Sequence, residues 1–381
     1  MTRGESPSAL AATPRKRPRR VLWRSSAMSI WRRDRVSALL AWQGKQRVEP
    51  DVANRRAGPG SCEPVEVLDV RSAVVNRPES HMRVGDAIHL LLPLSGGLVS
   101  VVGAGGKTRV LFELGEDLAN RGLDILLTTT TNIFDPRGEP GRRFDQVLLD
   151  ADLAEPFEEP GKFPACCEHG PFLERPGRLI VLGSREVPGT GKLQGIHPSW
   201  MARLSRDWAY VLVEADGAKG RSIKAPGDHE PVVPPSTGAV IGVVGLDCLG
   251  RPMDGDTVHR PERFQAVTGC PMGAPIRPAH IAALARAPEG LFKGTPPGSR
   301  RILLLNKADR CVLPPAEVLQ EILAAGPLET DLTAVCSHEG TNSPGRVLML
   351  APASGFGALD SAVGPGIAEG PGSILRFGAC R

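Results

Sequence analysis

Short apolar runs, separated by longer polar or amphipathic stretches, punctuate this chain. Leu98-Val99-Ser100-Val101-Val102 is a β-branched run suited to a buried parallel strand. Val110, Leu111, Leu114 and Leu118 then recur at helical spacing, and Asn120-Arg121-Gly122 marks a helix end. Further strands are predicted at 124–127, 179–182, 210–213, 301–305 and 334–335, and a helix from about 260 through Phe264 to Val267. Strands alternating with helices, the strands apolar on both faces, predict an α/β fold: a mostly parallel sheet with helices on both faces. Residues 133–178 are rich in Pro, Gly and charge and are expected to be an irregular insertion. Gly191-Lys192-Leu193-Gln194-Gly195 reads as a mobile loop over the site.

Composition narrows this. The chain has 381 residues, 41% of them hydrophobic but only 4% aromatic, so aliphatic side chains must fill the core. The 44 Gly and 36 Pro follow no repeat and point to many loops. Eight cysteines are scattered without a C-x-x-C pair, which argues against a disulfide framework or a zinc site and for a reduced, cytoplasmic setting. Cys166-Cys167, with His169 close by, is read as a loop thiol pair. No apolar run reaches the roughly 18–20 residues of a membrane span, so no membrane partner is expected.

The net charge of +4 is unevenly spread. Residues 1–81 hold 16 Lys and Arg against 8 Asp and Glu, leaving 30 against 34 in the remainder. The body therefore has no basic surplus for nucleic acid. The basic end carries Arg15-Lys16-Arg17-Pro18-Arg19-Arg20 without the apolar h-region an export signal needs. Residues 1–81 are expected to be a disordered or non-native extension, with translation starting at Met82 or Met28. A domain over 82–340 follows, and then a flexible Gly/Pro-rich tail over 341–381.

The first strand enters Gly103-Ala104-Gly105-Gly106-Lys107-Thr108, and a helix follows. Strand, glycine loop and helix are the context a phosphate-binding loop requires. Glycines let backbone N–H groups point at phosphate oxygens, and the helix N-terminus adds its positive dipole end. Lys107 would reach the β- and γ-phosphates and Thr108 would hold Mg²⁺. The fold is thus expected to be P-loop NTPase-like. Val101 stands where the longer G-x-x-x-x-G-K-[ST] pattern has its first glycine, so the loop is a contracted G-x-x-G-K-T, similar to that of the Mur peptide ligases.

Glu214-Ala215-Asp216-Gly217 follows the apolar run at 210–213, as in a Walker-B strand. Carboxylates at i and i+2 of a strand face the same side, so Glu214 and Asp216 can both reach a metal shell and orient water. Thr128–Thr131 at the end of the second strand could hold Mg²⁺ or sense the γ-phosphate. Asn306-Lys307-Ala308-Asp309 reads N-K-x-D at a strand end, where a carboxylate can accept both N1–H and N2–H of guanine; GTP is therefore favoured over ATP. The last strand would put Cys336 and Ser337 beside the base. Lys219, Lys224, His229, Glu230, His259 and Arg260 are candidates for a partner or substrate site.

Val-Gly-Ala-Gly-Gly-Lys-Thr, Leu-Thr-Thr-Thr-Thr-Asn-Ile-Phe, Val-Glu-Ala-Asp-Gly-Ala-Lys-Gly-Arg, Val-His-Arg-Pro-Glu-Arg-Phe and Leu-Asn-Lys-Ala-Asp, in this order, resemble the YqeC family of selenium-dependent hydroxylase accessory proteins. The resemblance runs from about Met82 to about Ser337. It implies a role in maturing molybdenum hydroxylases that carry labile selenium, with the client hydroxylase or its selenium- or cofactor-insertion machinery as partner. Glu214-x-x-Gly217 with Asn306-Lys-x-Asp309 is also similar to metallocentre-assembly GTPases. The expectation is a nucleoside triphosphate-binding accessory protein, a GTPase. Its rivals are an ATP-dependent ligase or kinase acting on a small molecule or selenium species, and a nucleotide-binding scaffold that hydrolyses nothing.

Overall fold

The computed structural model describes residues 74–77, 83–89, 92, 96–139, 143–157, 177–337, 345–352 and 374–377. Of the expected basic extension over 1–81 only residues 74–77, a short strand, are described; the starts at Met28 or Met82 and Cys166, Cys167 and His169 lie outside the described residues. In chain order the core runs α1 (Val84–His89), β1 (Gly97–Gly103), α2 (Lys107–Asn120), β2 (Ile125–Thr129), β3 (Gln146–Leu149), β4 (Leu179–Gly183), β5 (Tyr210–Glu214) and β6 (Thr237–Gly245). It continues through α3 (Pro261–Thr268), α4 (Pro278–Arg286), β7 (Arg300–Asn306), α5 (Pro315–Ala324), β8 (Leu332–Ser337) and β9 (Arg346–Pro352).

Across the sheet the order is β9-β8-β7-β6-β1-β5-β2-β4-β3. The eight strands from β8 to β3 are parallel, and β9 pairs antiparallel with β8. Ile374–Phe377 and then Val74–Arg77 extend the β9 edge. The mostly parallel α/β fold expected from the alternating pattern is present.

Period-2 alternation assigns the side chains to two faces. Val99 and Val101 of β1, Ile125 and Leu127 of β2 and Leu212 of β5 pack with Val84 and Ile88 of α1 and with α2. Val110, Leu111, Leu114 and Leu118 of α2 are fully buried there. At about 1.5–3 kcal/mol for each buried aliphatic side chain, this face outweighs any helix propensity in fixing α2. On the opposite face Val102, Val240, Val244, Leu303 and Leu305 meet α3, α4 and α5. Leu98, Leu126 and Val213 meet Trp200, Met201 and Leu204 there.

Three segments differ from their expected character. Within 133–178 lies β3, an edge strand held to β4 by reciprocal bonds: Asp145 N–H donates to Leu179 O (2.8 Å) and Leu179 N–H donates to the Asp145 carboxylate (2.8 Å). Four residues at a sheet edge, only half-buried, leave too short a pattern to stand out. The mobile loop over 191–195 is instead built around the strand Lys192–Gln194, in a small antiparallel sheet with Asn132–Phe134 and Arg185–Val187. Its anchor is Leu193, fully buried. Beyond residue 340, β9 joins the central sheet, so ordered structure reaches past the expected end of the domain.

After β1 the chain builds β2, β3, β4 and β5 to one side, then crosses to β6, β7 and β8 on the other. β5 and β6 flank β1 directly. In open α/β sheets ligands sit beyond the carboxyl ends of the strands at such a switch point. The loop after β1 lies there.

Candidate functional site

β1 ends at Gly103 and α2 begins at Lys107, so the turn between them is tight. Gly105 and Gly106 take φ of 86° and 119°, in the region that favours glycine. A Cβ on Gly105 would overlap the Gly245 backbone and stand 2.7 Å from the Ser222 carbonyl. The first half of the loop is pinned by the fold: Ala104 N–H donates to Val243 O (2.9 Å) and Gly105 N–H donates to Arg221 O (3.1 Å). Gly103 N–H donates to Asp216 Oδ2 (3.1 Å), and Asn306 Nδ2 donates to Gly105 O (2.9 Å).

The second half is different. The N–H groups of Gly106, Lys107 and Thr108 have no acceptor among the described residues, and they sit at the positive end of a 14-residue helix. The contracted loop thus divides its work. Residues 103–105 anchor it to β6, Asp216 and Asn306, while residues 106–108 present three amides to an anion.

Glu214 and Asp216 converge on this loop, as their i, i+2 spacing predicts. The Thr108 hydroxyl donates to Glu214 Oε2 (2.7 Å). The Lys107 ammonium donates to Gly103 O (2.7 Å) and lies 3.2 Å from Asp216 Oδ1 and 3.9 Å from Glu214 Oε1. Lys107, Glu214 and Asp216 are all buried. Asp216 Oδ1 accepts no hydrogen bond although it is buried. A hydroxyl and two carboxylates are hard oxygen donors, so this set fits a Mg²⁺ ion.

From Asp216 a chain of ion pairs leads outward. Lys224, 1% exposed, lies 2.8 Å from Asp216 Oδ2 and 2.8 Å from Glu230 Oε2, and donates to Gly217 O at 2.7 Å. Arg260 pairs with the same Glu230 oxygen. Burial pushes the Glu230 carboxyl up, but hydrogen bonds from Arg260 and Lys224 outweigh it and hold its pKa at about 2. His259, half-buried, is held below an ordinary histidine by burial and then by the charges of Lys224, Arg260 and Lys219, with Glu230 opposing. Lys224, Glu230 and Arg260 therefore join the phosphate-loop carboxylates, whereas His229 and Lys219 are exposed on the surface.

On the β7 side the N-K-x-D residues separate. Asn306 is 1% exposed and ties to the loop. Lys307, in a left-handed conformation, points to Asp247 Oδ2 (2.9 Å) and Ser222 Oγ (3.2 Å). Asp309 is partly exposed and its Oδ1 accepts from Ser337 Oγ at 3.4 Å, so Ser337 lies beside Asp309. Cys336 does not: it faces the core, fully buried, and burial raises its thiol pKa.

The threonines after β2 are also committed elsewhere. Thr128 donates to Leu182 O (2.8 Å), Thr129 to Glu214 O (2.8 Å) and Thr130 to Val232 O (3.2 Å), while the Thr131 hydroxyl lies 3.3 Å from that of Thr129. They tie β2 to its neighbours instead of facing the loop, because hydroxyls beside strand-end carbonyls satisfy them. Sequence reasoning passed over Ser222 and Asp247, which hold Lys307. The available signal was Gly245-Leu246-Asp247, a carboxylate just past a long apolar run.

The family model described as YqeC protein matches residues 99–262. That stretch includes the loop, Glu214, Asp216, Lys224, Glu230 and Arg260, but not the segment 306–309. The Escherichia coli (strain K12) protein named "Uncharacterized protein YqeC" is 34% identical over 232 residues, covering 59% of this chain and 82% of that relative. No solved structure matches the chain significantly. Identity at this level over most of the relative's length means that the chain belongs to the YqeC family.

Proposed function

We propose that this protein binds a nucleoside triphosphate, GTP in preference to ATP, at a P-loop NTPase-like site, and assists the maturation of selenium-dependent molybdenum hydroxylases. One observation carries the nucleotide part: three amides without acceptors among the described residues, a buried lysine and two buried carboxylates converge on residues 106–108. Anions bind where helix N-terminal amides and a lysine meet. Family membership supports the maturation role.

Lys107 exchanges its Asp216 and Gly103 partners for the β- and γ-phosphates. Thr108 with Glu214 or Asp216 would hold Mg²⁺, which when bound neutralises phosphate charge. Whichever of the two carboxylates is left outside the metal shell orients the attacking water. Asn306 keeps the loop in register through Gly105, and Asp309 accepts the guanine N–H groups. Hydrolysis then gates docking or release of the client.

The test is binding and turnover of Mg·GTP and Mg·ATP by the full chain, alone and with a client hydroxylase and a selenium donor. GTP turnover that rises with client is the expected result. Tight binding without turnover under every condition would remove the enzymatic part and leave a scaffold. ATP preference with acid-dependent ADP formation would favour a ligase or kinase.

A further inference from the structure

We infer that Lys219, His259 and Arg260 form a second anion site beside the phosphate loop, taking a small molecule that carries a carboxylate or a phosphate group. Its meaning as a second-substrate site rests on the nucleotide proposal above; its existence does not.

Placement comes from the backbone. Gly105 N–H donates to Arg221 O (3.1 Å) and Gly245 N–H donates to Ser222 O (2.8 Å). The next two residues, Ile223 and Lys224, pair in parallel with Val258 and His259. The segment 221–224 therefore has the phosphate loop on one side and the start of 258–260 on the other. Arg260 stands one short strand away from the loop.

Conformation singles out the same residues. Among the described residues three non-glycine positions have positive φ: Lys219 (48°), Arg260 (66°) and Lys307 (60°). All three are cations flanking the segment 221–224: Lys219 precedes it, Arg260 follows His259, which pairs with Lys224, and Lys307 donates to Ser222. Such backbone geometry is costly and gathers at functional sites, where it aims a side chain. Gly227 makes room for the Arg260 guanidinium, since a Cβ there would stand 2.8 Å from Nη1 and 2.9 Å from Cζ.

Donor accounting leaves the right groups over. Arg260 spends Nη1 on Glu230, and its Nε and Nη2 have no partner among the described residues. The Arg260 side chain is one-third exposed, so it is open to a ligand. Lys219 is exposed and its ammonium has no partner among the described residues. Both cations lie near enough to His259 to lower its pKa, after burial and together with Lys224. The His259 imidazole, next to Arg260 in the chain and paired through its backbone with Lys224, can donate a ring N–H to an oxyanion. Glu230 is the anion nearest this edge, and it is already held by Lys224 and Arg260. Paired donors on a planar guanidinium match carboxylate and phosphate oxygens.

Calorimetric titration of the full chain with inorganic phosphate, and separately with malonate, tests this against sodium chloride at matched ionic strength. Saturable binding of one of the two is expected, and which one binds identifies the group. Arg260→Gln and Lys219→Gln should each weaken it about tenfold, the loss of a hydrogen bond to a charged group. Lys219 is at the surface, so its variant folds even if that of Arg260 does not. Arg260→Lys should recover only part of the affinity, because it keeps the charge and loses the fork. Lys107→Ala should retain the binding. Loss of all saturable binding in Lys107→Ala would place the anion in the phosphate loop and overturn the inference. So would unchanged affinity in both the Arg260 and Lys219 variants, or no saturable binding at all. If neither Mg·GTP nor Mg·ATP binds the wild type while the anion still titrates, the nucleotide proposal fails and the second site stands.

Discussion

The two flanks of β1 hold the phosphate loop by different physics. On the β5 flank the contacts are mostly charged: buried Lys107, Asp216 and Lys224 and the half-buried Glu230 and Arg260 form one connected chain of ion pairs. On the β6–β7 flank neutral hydrogen bonds do the holding, from Ala104 N–H to Val243 O and from Asn306 to Gly105 O, and Lys307 is tied off by Asp247. A connected buried chain permits few alternative arrangements, since each charge left alone in a dry interior is expensive. Neutral bonds carry no such penalty and leave their flank freer to vary. The first flank suits the invariant part of a nucleotide, its phosphates. The second suits the part that differs between nucleotides, the base.

Cutting the charged flank gives the largest expected effect. Lys224→Met leaves Asp216 and Glu230 each short of one buried partner, and unfolding in urea should show a loss of about 3 kcal/mol. Lys307→Met, at the more exposed pair, should cost about 1 kcal/mol or less. Equal losses at the two positions would end the distinction between flanks. Next is Lys107→Ala, which removes the ammonium proposed to meet the phosphates. Affinity for Mg·GTP and Mg·ATP should fall at least about a hundredfold by calorimetry, two charge-assisted hydrogen bonds being lost.

The charged flank was also the more legible in the sequence, though unevenly. Glu214 and Asp216 could be assigned to one side because strand periodicity is a two-residue rule, and the loop because its glycines stand between a strand and a helix. Lys224, Glu230 and Arg260 were visible as polar residues near one another in sequence only for the first two. Joining Arg260 to them takes the short parallel pairing of Ile223–Lys224 with Val258–His259, which two-residue strands do not announce. The strand-end threonines misled for a related reason: their type fits metal or phosphate contact, and only the neighbouring carbonyls of Leu182, Glu214 and Val232 reveal where the hydroxyls go. β6 shows the same limit in the fold. Its glycines interrupt the apolar run, yet Gly242 is required because Leu291 and Phe292 pack against it, a contact far away in sequence.

Asp309→Ala probes the neutral flank. Its carboxylate is partly exposed, and its contacts with Ser337 (3.4 Å) and Arg310 (3.7 Å) are long, so folding stability should change little. Affinity for GTP should fall about tenfold, with ATP unchanged within about twofold, as expected for one lost pair of hydrogen bonds to a base. Parallel losses for both nucleotides would move Asp309 from base recognition to support of the loop, and the contrast between flanks would weaken.

The smallest effect is the pH dependence of the outer end of the charged chain. Burial raises the Glu230 pKa, but Arg260 and Lys224 more than offset it, leaving it at about 2 against an ordinary value of 4.5. A folded pKa below the unfolded one means that the pairing stabilises the protein fully above about pH 5, and that this contribution fades as pH falls from there through about 2. Glu230→Gln cannot titrate, so the difference in urea midpoint between wild type and variant isolates this group from the other carboxylates. The wild type should be the more stable at pH 7, and the gap should close between pH 5 and pH 2. A gap that stays constant across that range would mean that Glu230 contributes through shape and hydrogen bonding rather than charge. The chain of ion pairs would then end at Lys224, and Arg260 would be joined to the phosphate loop by packing alone.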